Sequence, residues 1–368
     1  MKGLILICVC IYLVFTASKS IAIELIKIKE IPTDSAPKAV EISPDGKYAC
    51  VVNLEGSSIW LVDTDTFQVF KKVEFFKTSG IGWDYRKDRP IKSVREKPVE
   101  CDFTESGRYI WVSLHNDSSV VIYDNMEEQF ESKNPAEYKK AKIIELTDDS
   151  SSQRIIKLRR IVVGKTPKVV KASPDGKYIY VSNWHSSSIS VIDARTFRKI
   201  KDVKVGSEQQ SLIPRGIGFS TDSKIAYVAN MGGGSISVID VQTGHNNIRE
   251  FPASRNPRHI VITKDNKYLY LSDNIEGKVK KVDLTDYRVV GEIKVGKLPR
   301  TICLDPNEDY LFTAVYGSNI LSIIDTKTME AVLTSKMYKP MGVSVSPNGK
   351  QVWVTSYQGN YVSVFEIN

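Results

Sequence analysis

From Val169 to Asp193 the chain runs as short apolar stretches broken at regular intervals by turn residues. Val169-Val170-Lys171-Ala172 gives way to Ser173-Pro174-Asp175-Gly176-Lys177. Tyr178-Ile179-Tyr180-Val181-Ser182-Asn183 follows and then, after a polar link, Ser188-Ile189-Ser190-Val191-Ile192-Asp193. The stretches are too short for helices and rich in Val, Ile and Tyr, which predicts β-strands. Pro174 pre-sets φ and Gly176 accepts positive φ, so the break between them reads as a tight turn. A fourth stretch over 197–205 completes the set.

This unit recurs along the whole chain. Counting 26 residues forward from Pro37, Pro98, Pro167, Pro214, Pro257, Pro299 and Pro340 lands on Asp63, Asp124, Asp193, Asp240, Asp283, Asp325 and Glu366, with no gap in any unit. Four short antiparallel strands in roughly 40 residues is the period of a propeller blade. The seventh unit stops at Asn368 after its third strand, while Ile23 to Ile31 alternates apolar and polar residues upstream of the first unit. The pattern predicts an all-β fold, a single seven-bladed β-propeller of four-stranded antiparallel blades over residues 23–368. Its ring is expected to close by pairing of the N-terminal strand with the last blade, which removes an aggregation-prone edge.

Particular residues then suggest a family. Tyr180-Val181-Ser182-Asn183, Tyr227-Val228-Ala229-Asn230 and the looser Tyr270-Leu271-Ser272-Asp273 resemble the signature of the YVTN family of β-propeller repeats. Ser-Pro-Asp-Gly-Lys at 43–47 and 173–177, and Val-Ile-Asp at 191–193 and 238–240, are similar to that family too. The resemblance covers nearly the whole chain beyond residue 22 and departs in the second and sixth units, where Leu114 and Val315 stand at the Asn position. It implies the propeller fold and a secreted or surface-layer setting. Relatives of this fold include lactonases and cofactor-binding oxidoreductase domains, so the resemblance implies compartment more than chemistry.

The first 22 residues stand apart from the repeats. Lys2, the apolar run Leu4 to Phe15 and the small-x-small ending Ser20-Ile21-Ala22 have the layout of a secretory signal peptide cleaved after Ala22. The run is too short to span a bilayer, so no transmembrane span is expected in the mature chain, which would be secreted, periplasmic or at the cell surface. Cleavage would lower the formal net charge from +8 to +6 and leave Cys50, Cys101 and Cys303. These have no metal-ligand spacing and read as small buried hydrophobes within strands.

Two inter-unit gaps are long. Residues 77–97, after the first unit's outer strand, are predicted on the top face, where the inner strands begin; they carry net charge +4 with Trp83, Tyr85 and Arg86 among them. They read either as a solvated loop or as a basic binding lid. Residues 125–152 are rich in Glu, Lys, Ser and Asn and read as solvated decoration at the bottom or rim of the second blade, with a possible extra strand over 142–146.

Two residue columns also open on the top face. The positions after the anchoring prolines are Lys38, Val99, Lys168, Arg215, Arg258, Arg300 and Met341, five of seven basic. The links between second and third strands hold Leu54, His115, Trp184 with His185, Met231, Asn274, Tyr316 and Tyr357. Either these residues pair with neighbouring blades and cover strand ends, or they form one anion-drawing pocket at the channel mouth. The pocket reading assigns ligand-binding roles to Lys38, Lys168, Arg215, Arg258, Arg300, His115, Trp184, His185, Tyr316, Tyr357, Trp83 and Arg86. Deeper, Glu41, Asp102 and Lys171 occupy the fourth position after their prolines, as an acid/base or cation-holding set or as the lining of a water-filled tunnel.

No haem, zinc or nucleotide-cradling motif and no Gly-x-Ser-x-Gly elbow occurs, so no cofactor or metal is expected and no catalytic residue is assigned. The reading that results is a monomeric, non-catalytic binding propeller for an anionic small molecule, an acidic polysaccharide or an acidic protein surface, and not for nucleic acid. A lactonase-type hydrolase with its site at the channel mouth and a cell-envelope scaffold are the alternatives.

Overall fold

A computed structural model describes residues 23–84, 87, 89–126, 130–147, 150–205 and 212–368. The expected signal peptide, Tyr85 and Arg86 lie outside the described residues. Each of the seven prolines opens an inner strand: Pro37–Ile42, Pro98–Thr104, Pro167–Ala172, Pro214–Phe219, Pro257–Ile262, Pro299–Leu304 and Pro340–Val345. Each inner strand packs on the next, and the last packs on the first, so they enclose a central channel. The neighbouring strands approach closely. A Cβ on Gly216 would lie 2.9 Å from the Arg258 carbonyl oxygen and one on Gly342 the same distance from Ala39 Cα, which explains glycine at both positions.

Outward from each inner strand the sheet continues antiparallel. The third blade pairs Pro167–Ala172, Tyr178–Asn183, Ser188–Asp193 and Arg198–Lys204 in that order. The seventh takes its outermost strand from the other end of the chain, since Leu25–Pro32 pairs with Tyr361–Ile367. The ring therefore closes as the sequence predicts.

The repeated polar residues build the turns. At the bottom, Ser173 Oγ donates to Asp175 at 2.7 Å while Gly176 takes φ +69°, and Ser43 with Asp45 and Ser220 with Asp222 repeat the arrangement. The Asp at offset 26 caps the next turn: Asp193 Oδ1 accepts from the backbone of Arg195 at 3.0 Å and of Thr196 at 2.7 Å. On top, Asn183 and Asn230 donate to serines of the third strand, at 2.9 Å to Ser190 and 2.8 Å to Ser237. The core lies between blades, where Trp111, Trp353, Tyr180, Tyr270 and Phe312 are fully buried.

The second insertion corrects one expectation. Residues 125–152 are more than solvated decoration. Tyr138–Leu146 is a strand that pairs with Val69–Phe75 of the first blade and with Ser151–Val162 of the second, fusing both blades into one nine-stranded sheet. Lys142 with Glu74 (2.7 Å) and Lys71 with Glu145 (3.5 Å) bracket the junction. The strand runs from top to bottom, so the insertion climbs from the bottom of the second blade to its upper rim before descending.

Candidate functional site

The five basic residues that follow the prolines converge on the upper mouth of the channel. Lys38, Lys168, Arg215 and Arg258 are buried and Arg300 is half-buried, while Val99 and Met341 complete the column as buried apolar residues. Inner strands place them: a residue next to the first proline of each blade faces the same level of the ring.

Their environment is poor in compensating charge. Arg215 Nη2 donates to Glu100 Oε1 at 3.0 Å, across the ring from the second blade. Glu100 is the carboxylate that acts on Lys38, Lys168 and Arg258 as well. Burial first, and repulsion from Arg215, Arg258 and Arg300 next, hold the Lys38 ammonium well below the usual lysine range, and it makes no hydrogen bond or ion pair with a described residue. Burial first depresses Lys168 and Arg258 as well, with repulsion from Lys38 and Arg215 on the lysine and from Arg215 and Arg300 on the arginine, and burial with Arg215 brings Arg300 down to about 10. Arg300 Nη1 donates to Asn274 Oδ1 at 3.0 Å, but its buried Nε has no hydrogen-bond partner among the described residues. Arg258 Nη1 reaches the Met231 sulfur, at 3.9 Å.

Aromatic groups from the links between second and third strands form the walls. The Lys168 ammonium lies 3.8 Å from the Trp184 ring centroid and 3.4 Å from His115 Nε2. Burial and the Lys168 charge push His115 well below its ordinary value, so it is neutral and Nε2 can accept. Arg300 sits 5.1 Å over Tyr316, which packs edge-on against Tyr357 with centroids 6.3 Å apart. Burial raises the Tyr357 hydroxyl to about 12.

The first insertion covers one side of this mouth. Ser79–Asp84 and Arg89–Val94 form a two-stranded hairpin. It lies on the corner of the second blade, where Asn116 Nδ2 donates to the Val94 carbonyl at 2.7 Å and a Cβ on Gly82 would press against Ser93 and Asn116. Trp83 reaches over the third blade to His185, with ring centroids 5.6 Å apart, and His185 Nδ1 lies 2.6 Å from Thr166 Oγ1. A buried charge cluster anchors the hairpin base. Lys139 contacts Glu96 and Asp117 at 3.0 Å each, and Arg160 Nε donates to Asp117 at 2.9 Å. The two insertions are thus joined.

Below the mouth the channel widens into a cavity of about 260 Å³ whose lining includes Glu41, Glu100, Lys171, His259 and Cys303. Asp102 accepts from the Lys171 ammonium at 3.0 Å and from the Ala172 backbone at 2.9 Å. The Asp102 charge raises Lys171, whose side chain keeps 41% of its surface in contact with the channel, so it is enclosed by protein without being dry. Burial pushes Glu41 up to about 8 against the pull of Lys171, and burial takes His259 down to about 3. Cys303 is held as a thiol by burial, at about 12. No cluster of three or more His, Cys, Asp or Glu suited to a metal occurs among the described residues.

The sequence columns identify every mouth residue except Glu100, and in the cavity they miss His259. Both stand two places after a proline, Pro98 and Pro257, so the next column along carries the signal.

Comparison with known proteins agrees with the architecture. A family model described as "Lactonase, 7-bladed beta-propeller" matches residues 132–294. Antigen Lp49 of Leptospira interrogans serogroup Icterohaemorrhagiae serovar copenhageni is 29% identical over 230 residues, which is 55% of this chain and 48% of that protein. The matched region thus spans about half the length of this curated relative. Among solved structures, hydrazine synthase of Kuenenia stuttgartiensis superposes with a TM-score of 0.70 at 21% identity, covering 93% of this chain and 97% of that one. That likeness shows the fold alone.

Proposed function

We propose that this is a binding propeller of YVTN type that takes an anionic ligand at its top mouth. The observation that carries the reading is the ring of five cations around Glu100, with Arg300 Nε lacking a hydrogen-bond partner among the described residues. Buried like charges destabilise one another, and an anion inserted among them converts that repulsion into attraction. Arginine forks and flat aromatic walls suit a carboxylate, phosphate or acidic sugar. In this reading the chain is exported, loses residues 1–22 and acts as a monomer outside the cytoplasm. Finding Ile23 as the N-terminus of the mature protein tests the export.

The binding test is a thermal-shift and calorimetric titration with citrate, phosphate and a uronic acid against the neutral sugar. Stabilisation by the anions is expected, with affinity lowered by about 100-fold or more in the Arg258→Glu, Arg300→Glu double variant. Equal binding by that variant would sink the proposal. One observation favours a second reading, a lactonase-type hydrolase: Glu41 sits in the cavity as a carboxyl group that changes charge near pH 8. Absence of lactone turnover by the wild type would remove that reading, and turnover that survives Glu41→Gln would remove Glu41 from it.

A further inference from the structure

The exposed surface divides unequally between the two ends of the ring. On top, Ile81 and Ile91 of the hairpin, Ile275 in the fifth blade, and Leu298 and Tyr338 in the links around the sixth are exposed, Ile81 by 72% and Ile275 by 56%. At the bottom, among the described residues, Met126 is the one large apolar side chain exposed in a turn. Charge divides in the same way. Bottom turns carry matched pairs, Asp45 with Lys47, Asp175 with Lys177 and Asp222 with Lys224, each within 3.5 Å. Top links pair Lys97 with Glu55 and Lys280 with Glu276, but they also expose Lys92 and Lys297 next to apolar tips, and Lys165 and Arg255.

We infer that the top face docks on the surface of a membrane carrying anionic lipid. Isolated aliphatic tips flanked by lysines are what an interfacial site requires: the tips enter the headgroup and acyl boundary while the cations meet lipid phosphates. An acidic protein would match the cations but leave five separated apolar tips without a continuous surface to bury against. The exposed rim is distinct from the buried cations of the mouth, so the inference does not rest on the proposed ligand. A docked ring would turn its mouth toward the lipid and its paired, polar turns toward water.

Co-sedimentation of the mature chain with vesicles tests this, using phosphatidylcholine alone and phosphatidylcholine with one-third phosphatidylglycerol. Binding to the mixed vesicles is expected to exceed that to the neutral ones by about tenfold or more and to fall with salt. Reversing Lys92, Arg255 and Lys297 to Glu should cost about fivefold per residue, and Ile81→Ser with Ile275→Ser and Leu298→Ser about tenfold together. These residues lie in exposed links, and unchanged thermal unfolding of both triple variants checks the fold. Equal binding to neutral vesicles, binding to neither, or wild-type binding by the serine variant would each overturn the inference.

Discussion

Lys38 shows how the mouth trades stability for binding. Its ammonium is buried among arginines with only Glu100 to offset them, so the ligand-free fold carries a repulsion that a neutral side chain would lack. Lys38→Met should therefore stabilise the ligand-free protein by about 1–2 kcal/mol and weaken the thermal shift produced by anions, both readable in one melting series. The folded lysine holds its proton less tightly than the unfolded one, so the cost is full below its lowered folded value. It fades as pH rises toward the ordinary lysine value near 10.5, and the variant's advantage should fade with it. Glu41 has the opposite sign. Its folded value near 8 lies above the unfolded one, so its favourable contribution is present below about pH 4.5 and is lost as pH rises through 8. Wild type should lose stability relative to Glu41→Gln across that window, and parallel melting curves for the two would exclude the assignment. Both residues were visible in the sequence as members of columns, because inner strands repeat without gaps. Glu100 stands in the next column, two places after Pro98, but its role lies in reaching Arg215 of another blade, which a place in a column does not reveal.

At the scale of elements, the regular units were legible and the insertions were only partly so. Turn chemistry repeats at fixed offsets and is local, so Ser173, Gly176 and Asp193 announce it residue by residue. The strand Tyr138–Leu146 is a different case. It pairs with residues near Phe75, far upstream, and its alternation is diluted by lysines that prove to be partners of Glu74 and Glu96. The sequence marks a possible strand over 142–146 but not its pairing, because a polar strand that bridges two blades looks like decoration until its partners are known. The ion cluster beneath the hairpin makes the point testable. Lys139→Met leaves Glu96 without that cation and Asp117 with Arg160 and the Ser119 hydroxyl, and is expected to cost about 3 kcal/mol in urea unfolding. If the hairpin depends on this anchor, the same variant should expose Trp83 to a quencher. Unchanged stability together with unchanged quenching would show that the hairpin holds itself.

For the whole molecule the decisive contact joins its two ends. The third to sixth blades are built from consecutive strands, the first two share Tyr138–Leu146, and the seventh borrows Leu25–Pro32 from far upstream, with Leu25 opposite Ile367 and Pro32 opposite Tyr361. Removing 23–32 would expose the backbone edge of Tyr361–Ile367 and take Ile31 out of the core it shares with Val362, Val364 and Trp353, uncovering those neighbours. An unpaired edge beside newly exposed aliphatic surface is a template for pairing between chains. The truncated protein is therefore expected to melt at least 10 °C lower, an order-of-magnitude figure for losing a buried strand, and to form dimers or larger species in size-exclusion chromatography. Adding the peptide 23–32 in trans should reverse both effects, because the missing contacts are supplied by that segment alone. A truncated chain that stays monomeric with an unchanged melting temperature would mean that ring closure is held by packing of the inner strands, Pro340–Val345 on Pro37–Ile42, and not by the shared blade. The same experiment bears on function. The mouth takes Lys38 from the first blade, next to the shared one, so a ring that opens there should lose anion binding before it loses its sheets.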